Sequence, residues 1–263
     1  MPNTTDDGGT FFTREQLDEM GESYDPPGED SCEFCGRPRE QRAIRIGGSW
    51  LWVPSECNCE ARQRADAEKA EEERRREEVR KAKRYLAAGI GRRYLDAAIT
   101  NADVARWVAD FPADGGTGLY LHGCVGCGKT SLASAVARTL INAGRRVVMV
   151  TTRGLLRSVQ DTFDTGGSTA DALGCYMGCD LLILDDIGKE SSSDWSLGTM
   201  FDVVNERYAN LRPTVFTSQY GYNELAERLS RRGDEEGADA VVSRINHASI
   251  FIEMPKRDFR MGK

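Results

Sequence analysis

The chain has 263 residues, about 40 % of them hydrophobic, which is enough for one substantial core and a small second unit. Its formal charge of −7 excludes a wholly basic nucleic-acid coat, so any DNA contact must be a local patch. No apolar run approaches the roughly 18 to 20 residues that span a bilayer, and the polar start Met-Pro-Asn-Thr-Thr-Asp-Asp lacks a signal core. The expectation is a cytoplasmic protein without a membrane segment. Eight cysteines there read as metal ligands or reduced thiols rather than a disulfide framework.

Residues 1–30 are rich in Gly, Asp, Glu and Pro and are expected to form a flexible tail. Residues 31–60 carry Cys32-Glu-Phe-Cys35 and Cys57-Asn-Cys59 on either side of the aromatic run Trp50-Leu-Trp-Val-Pro54. A CxxC turn and a second cysteine pair can complete a four-sulfur zinc site that replaces the core such a short segment cannot build. The second pair is CxC rather than CxxC, which leaves unliganded thiols as the alternative. From residue 61 to 91 the chain is Ala, Glu, Arg and Lys with opposite charges repeatedly at i and i+4. That pattern predicts a solvated helical linker. Its basic end (Arg80 to Arg84, Arg92, Arg93) is open to a docking or nucleic-acid role.

Beyond residue 92, apolar strands alternate with helical stretches: strands at 118–122, 146–152, 181–185, 213–218 and 249–253, with helices between them. This predicts an α/β domain over residues 92–263, a parallel sheet covered on both faces, with ligands at the strands' carboxyl ends. After the first strand comes Gly123-Cys-Val-Gly-Cys-Gly-Lys-Thr130, a GxxxxGK[ST] phosphate loop leading into a helix. Gly123, Cys124, Val125, Gly126, Cys127, Gly128, Lys129, Thr130 and Ser131 are the expected nucleotide-cradling residues. Backbone N–H groups turn inward, Lys129 reaches the β- and γ-phosphates, and the Thr130 hydroxyl ligates magnesium. Leu181-Leu-Ile-Leu184 then ends in Asp185-Asp186. Carboxylates there need a cation, which Mg²⁺ with ATP supplies. Side chains of Cys124 and Cys127 are expected to point away from the phosphates as small fitting residues, with a redox CxxC as the other reading; Cys175 and Cys179 are expected to pack. Neither His122 nor His247 has metal-like spacing.

These motifs, followed by Pro213-Thr-Val-Phe-Thr-Ser-Gln-Tyr220 and Val242-Ser-Arg-Ile245, resemble the AAA+ ATPases of the DnaC/DnaI helicase-loader family, with IstB transposition ATPases as close relatives. The resemblance covers residues 92–253. It implies a three-layer AAA+ P-loop fold, with Asp185 as the magnesium-holding carboxylate and Asp186 as the acid that orients the attacking water. Asp186 is shorter than the glutamate many AAA+ enzymes carry there, which implies slow turnover. The resemblance further implies Ser218 and Gln219 at sensor 1, where the family more often has Asn. It makes Arg244 an arginine finger reaching a neighbouring copy's ATP, with Arg207 as a rival. The cysteine module before a charged helix resembles the DnaI arrangement, which implies a DnaB-type hexameric helicase as partner, single-stranded DNA as ligand and a homo-oligomer when ATP is bound. Phe163, Trp195, Arg153 and Arg157 are the expected DNA contacts. Residues 254–263 are too short for a helical lid or a duplex-reading helix-turn-helix, and sensor 2 stays unassigned. Three other readings compete: an IstB-like helper on duplex DNA, an adaptor that holds ATP without hydrolysing it, and a small-molecule kinase, for which no acceptor pocket or arginine-rich lid is visible.

Overall fold

A strand buried along nearly its whole length must be covered on both faces, and three such strands, at residues 118–122, 181–185 and 214–218, organise the larger part of this protein. A computed structural model describes residues 3–4, 10–111, 116–190, 193–230 and 234–259. The chain divides into two compact units, residues 1–78 and 79–263.

In the first unit, strands β1 (Asn3–Thr4) and β2 (Thr10–Phe11) pair antiparallel, and helix α1 spans Arg14–Glu19. Strands β3 (Gln41–Ile46) and β4 (Ser49–Pro54) form a hairpin. Its two-residue loop, Gly47-Gly48, has φ of 57° and 91°, a left-handed turn that glycine adopts without strain. One hairpin face is covered from within the unit: Trp50 meets Phe12 and Trp52 meets Tyr24, each at 5.4 Å between ring centroids. Residues 10–30 therefore differ from the flexible tail expected of them. Leu17 is fully buried, Phe12 exchanges both backbone hydrogen bonds with Ala43, and Thr13 and Gln16 cap α1 reciprocally. The physical reason is that the hairpin's aromatic face needs a cover, which these residues provide. Of the expected tail, residues 1–2 and 5–9 lie outside the described residues.

Helix α2 runs Glu60–Ala87 with Arg64–Glu60, Arg62–Asp66 and Arg76–Glu72 ion pairs, all at i, i+4 spacing. Tyr85 is its one buried residue and donates its hydroxyl to Asn142 at 2.7 Å.

The second unit continues through a 3₁₀ turn at Arg92–Tyr94, helix α3 (Ala102–Ala109), strand β5 (Gly118–His122), helix α4 (Lys129–Asn142), strand β6 (Val147–Thr151) and helix α5 (Thr152–Thr165). Helix α6 (Thr169–Gly178), strand β7 (Leu181–Asp185), helix α7 (Asp194–Ala209) and strand β8 (Thr214–Ser218) follow. Helices α8 (Tyr222–Leu229) and α9 (Glu235–His247) and strand β9 (Ser249–Glu253) complete it. The sheet is parallel, in the order β6-β7-β8-β5-β9. Alternation along each strand sends Leu119, Leu121, Leu181 and Ile183 to a core shared with α3 and α4. Tyr120, Leu182, Leu184 and Phe216 go to the opposite core, under α5 to α9. This is the expected three-layer α/β architecture. Its order has one consequence for the site. Strand β8 is inserted between β5, which leads into the phosphate loop, and β7, which ends in the carboxylates.

Candidate nucleotide site

The loop between β5 and α4 turns on glycines. Gly126 and Gly128 have φ of 80° and 93°, conformations closed to most side chains, and Gly128 caps α4 directly before Lys129. Lys129 is 7 % exposed and donates to the carbonyls of Gly123 (2.7 Å) and Cys124 (2.8 Å), so the loop's own oxygens hold its charge at the cleft floor. Cys127 is buried with its Sγ 3.8 Å from Lys129 Nζ, and burial pushes its thiol up. Cys124 is exposed. The cleft, about 240 Å³, is lined by Arg93, Tyr94, Val125, Gly126, Gly128, Lys129, Thr130, Ser131, Asp186, Lys189 and Phe259.

Asp185 stands at the end of β7, 6 % exposed. Thr130 donates its hydroxyl to both carboxylate oxygens (3.0 and 3.1 Å), and Thr217 donates to Oδ1 at 2.6 Å. Burial raises the Asp185 pKa and neighbouring Asp186 adds to it, against the lowering effect of the two hydroxyls. A hydroxyl and a desolvated carboxylate are hard oxygen donors, and the residues present fit a magnesium ion. Asp186 has φ of 60°, in the left-handed region rare for a side-chain-bearing residue. Its N–H is held by Thr217 Oγ1 at 2.9 Å, and its carboxylate meets Lys189 Nζ at 3.0 Å. The strained backbone is thus pinned so that Asp186 lines the cleft beside Thr130 and Ser131.

The other expected residues fall differently. Ser218 is fully buried and donates to the carbonyl of Ile187 at 2.9 Å. Gln219 donates to Tyr220 Oη at 2.6 Å and is absent from the cleft lining. The hydroxyl that reaches both acids belongs to Thr217, one residue earlier, which sequence reasoning missed. The alternation of β8 carried the signal, but only the strand order shows which neighbour it faces. Lys189, Arg93, Tyr94 and Phe259 were missed as cleft residues too. Arg244 lies away from this cleft, donating to Asn205 Oδ1 and the Ala240 carbonyl (both 2.8 Å) and stacking over Phe201 at 4.7 Å. Arg207 is 1 % exposed. It donates to Thr214 Oγ1 and to the carbonyls of Tyr176, Met177, Cys179 and Pro213, at 2.6 to 3.2 Å. That correction removes it as a finger: its guanidinium is consumed inside the fold. Phe163, exposed on α5, meets Trp195 edge-on at 6.2 Å; Arg153 and Arg157 are exposed on the same helix. Cys179 packs as expected, whereas Cys175 is exposed.

In the first unit, Cys32, Cys35, Cys57 and Cys59 place their sulfurs within 4.8 Å of one another. The Cys32–Cys59 and Cys35–Cys57 separations are 3.9 and 3.6 Å, close to the about 3.8 Å edge of a tetrahedron with zinc–sulfur bonds near 2.3 Å. The backbone N–H of Phe34 pulls the Cys32 thiol down to about 7, while the adjoining Cys35 pushes Cys57 up to about 11. The four residues fit a metal ion that would share their negative charge.

The model of the IstB-like ATP binding protein family matches residues 110–263, more than half of the chain. The chain belongs to this family. Within its surroundings, the replicative helicase loader DnaC of Escherichia coli strain K12 is 28 % identical over 129 residues, 48 % of this chain and 52 % of that protein. The replicative helicase loader DnaI of Bacillus subtilis strain 168 is 29 % identical over 148 residues, 54 % of this chain and 46 % of that protein. The chain thus spans about half the length of the curated relatives it matches. A crystal structure of DnaI is 29 % identical with a TM-score of 0.55, covering 63 % of this chain and 94 % of its own. That of a DnaC helicase loader is 26 % identical with a TM-score of 0.52, covering 63 % and 100 %. A DnaA initiator bound to AMPPCP and single-stranded DNA, 20 % identical, has a TM-score of 0.54 over 64 % of this chain and 51 % of its own, a likeness of fold alone. The second unit of this IstB-like chain has the AAA+ fold of these neighbours. Among the described residues, no helix is long and apolar enough to cross a membrane.

Proposed function

We propose that this chain is an ATP-hydrolysing loader of a DnaB-type hexameric replicative helicase, engaging single-stranded DNA and working as a homo-oligomer when ATP is bound. The observation that carries the reading is the convergence of Lys129, the Thr130–Asp185–Thr217 hydroxyl–carboxylate group and Asp186 at one cleft. Phosphoryl transfer to water needs charge neutralisation and a positioned nucleophile more than covalent chemistry. Gly126 to Thr130 hold the triphosphate, and Lys129 exchanges the loop carbonyls for phosphate oxygens. Thr130 and Asp185 hold magnesium, which when bound spreads the phosphates' negative charge. Asp186 orients water, and Thr217 fixes both acids. Arg244, outside its own chain's cleft, serves a neighbouring copy, the Cys32/Cys35/Cys57/Cys59 cluster holds zinc, and Phe163 with Trp195 offers bases a stacking face. Exposed Leu51 and Val53 on the hairpin's outer face support the cysteine unit as the helicase-binding part.

The family match also favours a second reading, an IstB-like helper that assembles on duplex DNA for a transposase. One assay separates them: loading of a hexameric helicase onto circular single-stranded DNA by the full chain with Mg·ATP. Asp186→Asn is expected to bind ATP normally and turn it over about 100-fold more slowly, the scale of one positioned catalytic group. Arg244→Ala should lose turnover and regain it when mixed with Lys129→Ala subunits, and Cys57→Ser should lose helicase capture. Unaltered function in Asp186→Asn makes the chain an adaptor. Capture of a transposase with preference for duplex establishes the second reading.

A further inference from the structure

The cleft is lined by the polar side chains of Arg93, Lys129, Thr130, Ser131, Asp186 and Lys189, but it also carries large apolar ones. Val125 is 53 % exposed and Phe259 is 55 % exposed, and both line the cleft together with Tyr94. Large apolar side chains left in water beside a binding loop are covered when a ligand with an apolar face arrives. Phe259 is not there by chance of a loose end. The segment after β9 is tied down at two points: Met254 donates its N–H at 2.7 Å to the carbonyl of His122, at the end of β5, and Phe259 donates at 3.0 Å to the carbonyl of Gly126, in the loop. Its ring edge lies 3.8 Å from where a Gly128 Cβ would stand, and Arg257 lies over the ring at 5.4 Å. Tyr94 is held separately, by the 3₁₀ turn at Arg92–Tyr94, and is partly buried against the core below α4.

We propose that residues 254–259 form the base-binding wall of the nucleotide site, with Phe259 stacking on the nucleobase while Val125 and Tyr94 cover its remaining apolar surface. The proposal rests on the reading of the cleft as an ATP site and adds the part that recognises the nucleoside. A triphosphate held by the phosphate loop presents its base beside that loop, and among the described residues these three side chains give the cleft its large apolar lining. Every base offers a π-face, so this wall selects a nucleoside triphosphate over a bare polyphosphate without choosing strongly among bases.

Calorimetric titration of the full chain with Mg·ATP, Mg·GTP and Mg·tripolyphosphate tests it. Phe259→Ala is expected to weaken ATP and GTP about tenfold, within the range for one aromatic–base stack, and to leave tripolyphosphate unchanged. Phe259→Trp should keep the nucleoside preference, and Lys129→Ala should weaken all three ligands together. Unchanged ATP affinity in Phe259→Ala, or an equal loss for ATP and tripolyphosphate, overturns the proposal while leaving the ATP site standing. Failure of the unaltered chain to bind any of the three removes the ATP reading and this proposal with it.

Discussion

At Asp185, a carboxylate that is 6 % exposed accepts two threonine hydroxyls, and no cationic side chain hydrogen-bonds to it among the described residues. Its pKa in the folded chain is raised, chiefly by burial, so folding is most favoured when it is protonated. Its contribution to stability is intact below the ordinary carboxylate range and is lost as pH rises from there through the raised value. Asp185→Asn keeps an acceptor for both hydroxyls and removes that loss. The nucleotide-free variant is expected to melt a few degrees higher than the unaltered chain at neutral pH, on the order of 1 kcal/mol, and no higher in acid, while Mg²⁺-dependent ATP hydrolysis disappears. Thermal melts across pH with and without Mg²⁺ check this; a variant that melts lower at neutral pH contradicts it. At this scale Lys129 and Thr130 were legible from the spacing of the phosphate loop, and Asp185 and Asp186 from their place at the end of an apolar strand, because both signals are local. Thr217 was not. Its role depends on which strand lies next to β7, and the run Thr-Val-Phe-Thr-Ser218 reads the same in any sheet order.

The five strands of the second unit were legible as elements because their apolar runs are short, complete and separated by helix-length stretches, whereas helix α3 ahead of the first strand was not expected. What the chain does not reveal locally is the insertion of β8 between β5 and β7, a long-range pairing that brings Thr217 to Asp185 and Asp186 together. Arg207 makes the same point from the other side. On α7 it looked like a surface cation available to a neighbour, yet it ties the end of α6 to the start of β8 through carbonyls and Thr214. Arg207→Ala should therefore cost about 3 kcal/mol or more, since several buried carbonyls lose their donor at once. Denaturant unfolding measures it, and normal stability combined with lost hydrolysis would restore Arg207 as a finger. In the first unit, polar composition hid the packing of residues 10–30. That segment's apolar residues are few, but Phe12 and Tyr24 cover the hairpin's aromatic face and Leu17 is fully buried.

For the whole molecule, the two units present different chemistry: a four-cysteine cluster with an apolar hairpin face in one, a phosphate-loop cleft in the other. The reading as a loader joins them through nucleotide state, and it stands only if the cleft grips a triphosphate. The direct measurement is equilibrium binding of ATP to the full chain with and without Mg²⁺, for the unaltered protein and for Lys129→Ala. The account predicts Mg²⁺-strengthened binding that Lys129→Ala weakens at least about 100-fold, as expected when a buried charge on the phosphates is removed. No affinity in the unaltered chain, or affinity that Lys129→Ala leaves untouched, contradicts it.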